Sequence, residues 1–212
     1  RAALAVGFEW LVGVHDLQLD RYIIGKRKWK DLTQTVEWQE FILKARRQVV
    51  KDYVFFPAIA TVNAVPVLAG NVTANLMRNV WAWAIVFCGH FTEEVEVFED
   101  KGAAETRAEW YVRQIRGSSN IRGGRLMNFF SGNLSHQIEH HLFPDIPANR
   151  YKELAPEIRA LCAQYGQHYS TGTFSQQLRG VLTRLAVMSL PDHKRSQLEL
   201  RLHRVKRWLK RA

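Results

Sequence analysis

From Tyr53 to Met77 no residue is charged, and beyond the lone Arg78 the next charge is Glu93. A stretch this apolar must be hidden from water, either inside a core or in lipid. A membrane-crossing helix takes about 20 mostly apolar residues, so residues 53–91 are expected to form a helical hairpin of two short spans. The turn is expected near "AGNVTANLMRN" (69–79), where Gly and Asn cluster. Pro57 and Pro66 are tolerable in such helices, because neighbouring groups satisfy the freed backbone. The competing reading is a buried helical hairpin in a soluble protein.

Charge around this stretch favours the membrane. Nine Lys and Arg residues lie between His15 and Asp52, with the run "KRKWK" at 26–30. The positive-inside tendency places both hairpin ends on the cytoplasmic side. Upstream, "RAALAVGFEWLVGV" ends a further apolar segment interrupted by Glu9. Residues 33–51 set Trp38, Phe41, Ile42, Ala45 and Val49 on one helical stripe. Farther on, "RLMNFFSGNLSHQIEHHLF" reads as a helix ending before Pro144. Asn149 opens another helix, through about Tyr165, with Pro156 as a kink or break. Ser175 can cap a last one, expected to carry Leu178, Val181, Leu182 and Leu185 on one face. Strand signals are weak throughout, so the fold class is all-α.

The net charge of +10 suits nucleic acid, an anionic membrane surface or an acidic protein. The segment 191–212 is a basic tail, holding eight Lys and Arg after Pro191 against two acids. It contains no nucleic-acid module, and no nucleic-acid partner is expected. Cys88 and Cys162 lie far apart without CxxC spacing, which points away from a disulfide framework or a cysteine zinc site.

The chemistry is concentrated in "SHQIEHHLFP" (135–144), which holds three of the eight histidines. On a helix, His136, Gln137, His140 and His141 project within less than half the circumference. Imidazole suits iron, zinc or copper, while Glu139 points elsewhere and the spacing is not that of HExxH proteases. "QIEHHLFP" is similar to the third histidine box of the membrane fatty-acid desaturases, in the branch with Gln at its first position. "HHLFPDIPANRYKELAPEIRALCAQYG" and "WAIVFCGHF" resemble the same family, and the likeness covers most of residues 1–190.

The resemblance implies the C-terminal portion of an integral membrane, multi-pass helical domain with cytoplasmic helices and a metal site facing the cytoplasm. It implies two iron ions, dioxygen as co-substrate, and a double bond introduced into a fatty acyl-CoA or acyl-lipid chain. His90, His140 and His141 become metal ligands, Gln137 ligates or positions a water, and His136 orients a ligand or bonds a carboxylate. Val86 stands where some members carry Asn. Without a fused haem motif or a flavin fingerprint, the electrons are expected from an external donor, such as ferredoxin with an NAD(P)H-dependent reductase. The basic surface around 26–51 suits such an acidic donor; positive-inside topology with contact to membrane lipids explains the same charges.

Apart from the His136–His140 spacing inside the box already described, the sequence contains no HxxxH, and it contains no HxxHH, so the family's first two boxes do not occur here; the chain opens on Arg1 within an apolar run. It is therefore expected to be part of a longer enzyme whose other boxes precede Arg1, and to be inactive by itself. Two other classes stay open: a related di-iron fatty-acid hydroxylase, and a non-catalytic basic protein that binds membrane or nucleic acid.

Overall fold

The structure is a computed structural model that describes residues 5–98 and 105–191. The chain divides into two units, Arg1–Trp83 and Ala84–Ala212. From Asp192 onward the basic tail, with His193 and His203, lies outside the described residues.

In the first unit, α1 (Phe8–Asp16), α2 (Leu19–Ile23) and α3 (Trp29–Leu32) lead into α4 (Val36–Val50). The Thr35 side chain caps α4 by accepting from the Trp38 N–H, which satisfies one of the free donors of a helix start. Leu17, Tyr22 and Leu32 form a small core, joined by Leu19, Trp38 and Phe41. Gly13 lets α1 and α4 approach closely: a Cβ there would lie 2.7 Å from the Phe41 ring. The inner stripe of α4 is Trp38, Phe41, Ala45 and Gln48, whereas Ile42 and Val49 are exposed. The expected apolar stripe is thus narrower, with a polar residue at its end.

α4 continues through a π-helical turn (Lys51–Phe55) into α5 (Phe56–Ile59), and a 3-10 turn (Thr61–Asn63) precedes α6 (Ala64–His90). The chain therefore reverses at 60–63, where Thr61 has φ +48°, and not within 69–79. Those residues lie inside α6 because their asparagines recur every four positions and are used as helix-borne donors. Asn71 donates to the Asp52 carbonyl at 2.6 Å, and Asn75 to the Asp52 carboxylate at 3.2 Å and to Tyr53 at 3.0 Å. Asn79 accepts from the Glu9 N–H at 3.2 Å, and Glu9 pairs with Arg78. Pro66 sits in the first turn of α6, where the missing N–H costs nothing; Pro57 follows the π-helical turn without a break, and the Asp52 carbonyl five residues before it is met by Asn71 instead.

No helix among the described residues is long and apolar enough to cross a membrane. α6 has the length, about 40 Å at 1.5 Å per residue, but Asn71, Thr73, Asn75, Arg78 and Asn79 dilute its hydropathy.

The second unit, which starts within α6, adds α7 (Arg107–Arg116), α8 (Arg125–Phe130), α9 (Gln137–Leu142), α10 (Tyr151–Gln164) and α11 (Phe174–Met188). Two short strands, β1 (Asn120–Arg122) and β2 (Thr171–Thr173), pair in parallel with Ile121 opposite Gly172. They were not legible in the sequence at three residues each. The continuous helix expected through the histidines is split. Gly132 and Asn133 adopt positive φ, and the Ser135 carbonyl is taken by the Ile121 N–H at 2.8 Å. Pro156 does not break α10. It lies on the exposed side, where water can satisfy the carbonyl it leaves without a donor.

Ile138 and Leu142 of α9 pack on Ile158 and Cys162 of α10, with Tyr111, Ile115, Leu154 and Tyr169 around them. Ile138 has no exposed surface, so Ile138→Ala removes buried methyl groups and leaves a cavity. Equilibrium denaturation should show a loss of about 2–5 kcal/mol; a loss below 1 kcal/mol would mean this core is loosely packed.

Candidate metal centre

α9 is a six-residue helix, too short to persist by its own hydrogen bonds. A buried polar network holds it. The Asn120 side-chain carbonyl accepts from the Ile138 N–H at 2.9 Å, capping the first turn of α9 from β1. The Asn120 amide donates to Glu139 Oε2 at 2.8 Å and to the Tyr169 hydroxyl at 2.6 Å. Tyr169 in turn donates to Glu139 Oε1 at 2.7 Å. Glu139 is fully buried; its oxygens accept two strong hydrogen bonds, and that makes its burial tolerable. Burial, and then Glu139, push the Tyr169 phenol well above its ordinary range, so it remains a donor. Gln177 of α11 braces β1 by donating to Ser119 and to the Asn120 carbonyl.

Facing away from Glu139, the histidines divide. His90, the last residue of α6, meets His141: their Nε2 atoms are 3.3 Å apart and the rings are perpendicular. Two nitrogens bound to one ion at about 2.1 Å stand about 3.0–3.4 Å apart at octahedral or tetrahedral angles. The pair therefore fits a shared metal, and without metal it fits an N–H···N hydrogen bond. Burial first, then His90 and His140, lower His141 to about 4. At neutral pH it is an uncharged imidazole, the form that ligates.

Gln137 is buried beside Gly89, where a Cβ would lie 2.6 Å from the Gln137 Cγ. The absent side chain at 89 is what makes room for the carboxamide. Gln137 Oε1 is buried and has no hydrogen-bond partner, which is expensive for a carbonyl. A metal ion or a water beside it would meet that need.

His140 and His136 turn to other neighbours. His140 Nδ1 lies 3.2 Å from the hydroxyl of buried Tyr151. With Nδ1–H donating there, Nε2 keeps its lone pair, the arrangement common to metal-binding imidazoles. His136 is the residue before α9, not part of it, and its Nδ1 is 3.8 Å from Glu139 Oε2. Burial lowers its pKa, opposed by Glu139. Among the described residues no three His, Cys, Asp or Glu side chains form a group that could hold a metal ion. The His90–His141 pair is the closest set of donors; the His140 ring lies 5.5 Å from that of His141 between centroids, and the Gln137 side chain packs against Gly89, the residue before His90.

Asn120, Tyr151 and Tyr169 were missed in the sequence. They are 11 to 30 residues from the box residues they serve, and no local spacing marks them. Glu139 was placed on the correct side of the helix, but its role as the anchor was not legible.

A family model described as "Fatty acid desaturase" matches residues 5–173. An NADPH-dependent stearoyl-CoA 9-desaturase of Mycobacterium tuberculosis is 42% identical over 194 residues, covering 89% of this chain and 45% of that protein. Fatty acid desaturase 3 of Homo sapiens is 30% identical over 132 residues, covering 62% of this chain and 28% of that protein. The chain thus spans less than half the length of these relatives. No solved structure matches.

The network is testable on its own. Tyr169→Phe removes a donor from a buried carboxylate and should cost about 1–3 kcal/mol in equilibrium denaturation. Asn120→Leu removes two donors and the α9 cap together and should cost more. A neutral Tyr169→Phe would show that Glu139 finds another donor.

Proposed function

This chain belongs to the fatty acid desaturase family, and on that premise we propose that it supplies part of the iron-binding centre of a membrane fatty-acid desaturase. The single observation that carries the residue assignment is the His90–His141 pair, 3.3 Å apart between Nε2 atoms. On this reading His90, His140 and His141 ligate through Nε2, and Gln137 ligates or holds a water. His136 stays with Glu139 and steadies the start of α9. Bound iron would supply the dioxygen chemistry needed to take two hydrogens from an unactivated acyl chain. Overall, one CH2–CH2 unit, one O2, two electrons and two protons give one CH=CH unit and two waters.

The protein residues have distinct tasks in this scheme. Tyr151 fixes the His140 ring so that its Nε2 faces away from the α10 side. The Asn120–Glu139–Tyr169 network fixes the rotation of α9 and hence the direction of both histidines. Gly89 admits Gln137. The substrate is a fatty acyl chain, read as acyl-CoA from the name of the mycobacterial relative. That name also includes NADPH dependence, and an external donor, ferredoxin with an NADPH-dependent reductase, is the arrangement proposed here.

We further infer a multi-pass membrane protein with the centre on the cytoplasmic side. Supporting this are the exposed apolar residues at the hairpin tip, Val62 at 92% and Val65 at 76% exposure, and the basic segment preceding it. A monolayer of water over such a patch is costly. Cysteines introduced at Gln34 and Arg125, both exposed, should react with impermeant reagents only after the inner face is opened. Labelling from outside would overturn the topology.

The ligand assignment is tested in the full protein, supplied with donor and reductase. His140→Ala and His141→Ala should each abolish unsaturated product and lower bound iron while leaving the protein in the membrane fraction. Gln137→His should be milder, because it restores the ligand type of other branches. Normal product and iron in either alanine variant would overturn the assignment. A hydroxylated product in mass spectrometry would replace desaturase by hydroxylase.

A further inference from the structure

Between α2 and α3 the chain makes a short loop whose chemistry the centre does not use. Tyr22, buried, contacts the Trp29 ring at 5.8 Å between centroids. The Gly25 N–H donates to the Tyr22 carbonyl and the Arg27 N–H to the Arg21 carbonyl, and Gly25 takes the positive φ of +74° that the reversal requires. The loop is therefore shaped, and it presents two aliphatic side chains to solvent: Ile23 is 72% and Ile24 61% exposed. Trp29 is half exposed. Lys26, Arg27, Lys28 and Lys30 surround them, all exposed, and none pairs with an acid among the described residues.

We propose that residues 23–30 form an interfacial anchor that inserts Ile23 and Ile24 shallowly into a bilayer while the four cations bind anionic lipid headgroups. Each half of the pattern needs the other. Two isoleucines alone are too little apolar surface for stable membrane attachment, whereas each nearby cation adds attraction to an anionic surface. Trp29 suits the headgroup level, where its ring is apolar and its N–H wet. Lysine and arginine stems can lie along the apolar boundary with their charges among phosphates. An acidic protein surface would satisfy the cations but leave the isoleucine pair without reason, and so the lipid is favoured. The inference rests on the membrane reading above only in requiring a bilayer nearby.

The test places a nitroxide at Ile24→Cys in the whole protein; Cys88 and Cys162 are buried and do not compete for the label. Accessibility to an aqueous nickel complex is measured in vesicles of phosphatidylcholine alone and with roughly 30% phosphatidylglycerol. The label should be roughly tenfold more protected with the anionic lipid, and about 0.5 M salt should reverse this by screening. Changing Lys26, Arg27, Lys28 and Lys30 to Gln should have the effect of salt, with circular dichroism unchanged because all four are exposed. Equal accessibility in both vesicles overturns the proposal, and so does equal protection by poly-L-glutamate without vesicles, which would assign the loop to an acidic protein. Carbonate extraction separates this from the wider reading. A protein that is extracted yet shows the protected label overturns membrane embedding and keeps the anchor; one that is retained with an unprotected label overturns the anchor alone.

Discussion

The buried contact among Glu139, Asn120 and Tyr169 is the constraint on which the candidate centre depends. A carboxylate with no exposed surface is admissible only when its oxygens are met by donors. Here both donors come from outside its own helix, from β1 and from the segment before β2. Satisfying Glu139 therefore ties together three pieces of chain that strand pairing and the core around Ile138 also join. The same asparagine caps α9 through the Ile138 N–H, so one side chain fixes both the start and the rotation of the histidine helix. His140 and His141 inherit their directions from that fixed rotation. Apolar packing by Ile138 and Leu142 supplies the burial, while the polar triangle supplies the uniqueness of the arrangement.

The long helix of the first unit uses polar residues differently. Asn71, Asn75 and Asn79, each four apart, form a stripe facing α1 and the helical arm 36–59, and they meet Asp52, Tyr53 and Glu9. In an apolar setting such groups are costly unless paired, and pairing converts that cost into specificity for one alignment. Their presence is also why α6 is long enough to span a bilayer by geometry and yet not apolar enough by composition.

How much of this was legible follows from the range of each determinant. The helical class, the histidine box and the direction of Glu139 rest on spacing within one or two turns, and local spacing is written in the sequence. The hairpin turn was misplaced because Asn and Gly are ambiguous: they mark turns when their side chains bond locally and helix interfaces when a partner exists across the gap. Nothing near residue 75 announces Asp52. His136 was read as helical because the residues after it are; Gly132, Asn133 and the use of the Ser135 carbonyl by β1 exclude it. The pairing of His140 with Tyr151 and of Glu139 with Asn120 needed the tertiary structure. So did the notch at Gly89 that receives Gln137.

The π-helical turn at Lys51–Phe55 has a consequence for chain length. Along α4 the inward positions recur at Trp38, Phe41, Ala45, Gln48 and Asp52, at alternating spacings of three and four. The next buried position is Pro57, five residues on. The widened turn thus absorbs one extra residue and resets the phase of the helix. Deleting a single residue there would give a regular helix in which Pro57 follows Asp52 by four positions and still faces inward, whereas keeping every residue in a regular α-turn would rotate everything beyond by about 100° and carry Pro57 outward. At this point of the chain the surplus residue is carried by the width of one turn, so the faces before and after it stay aligned.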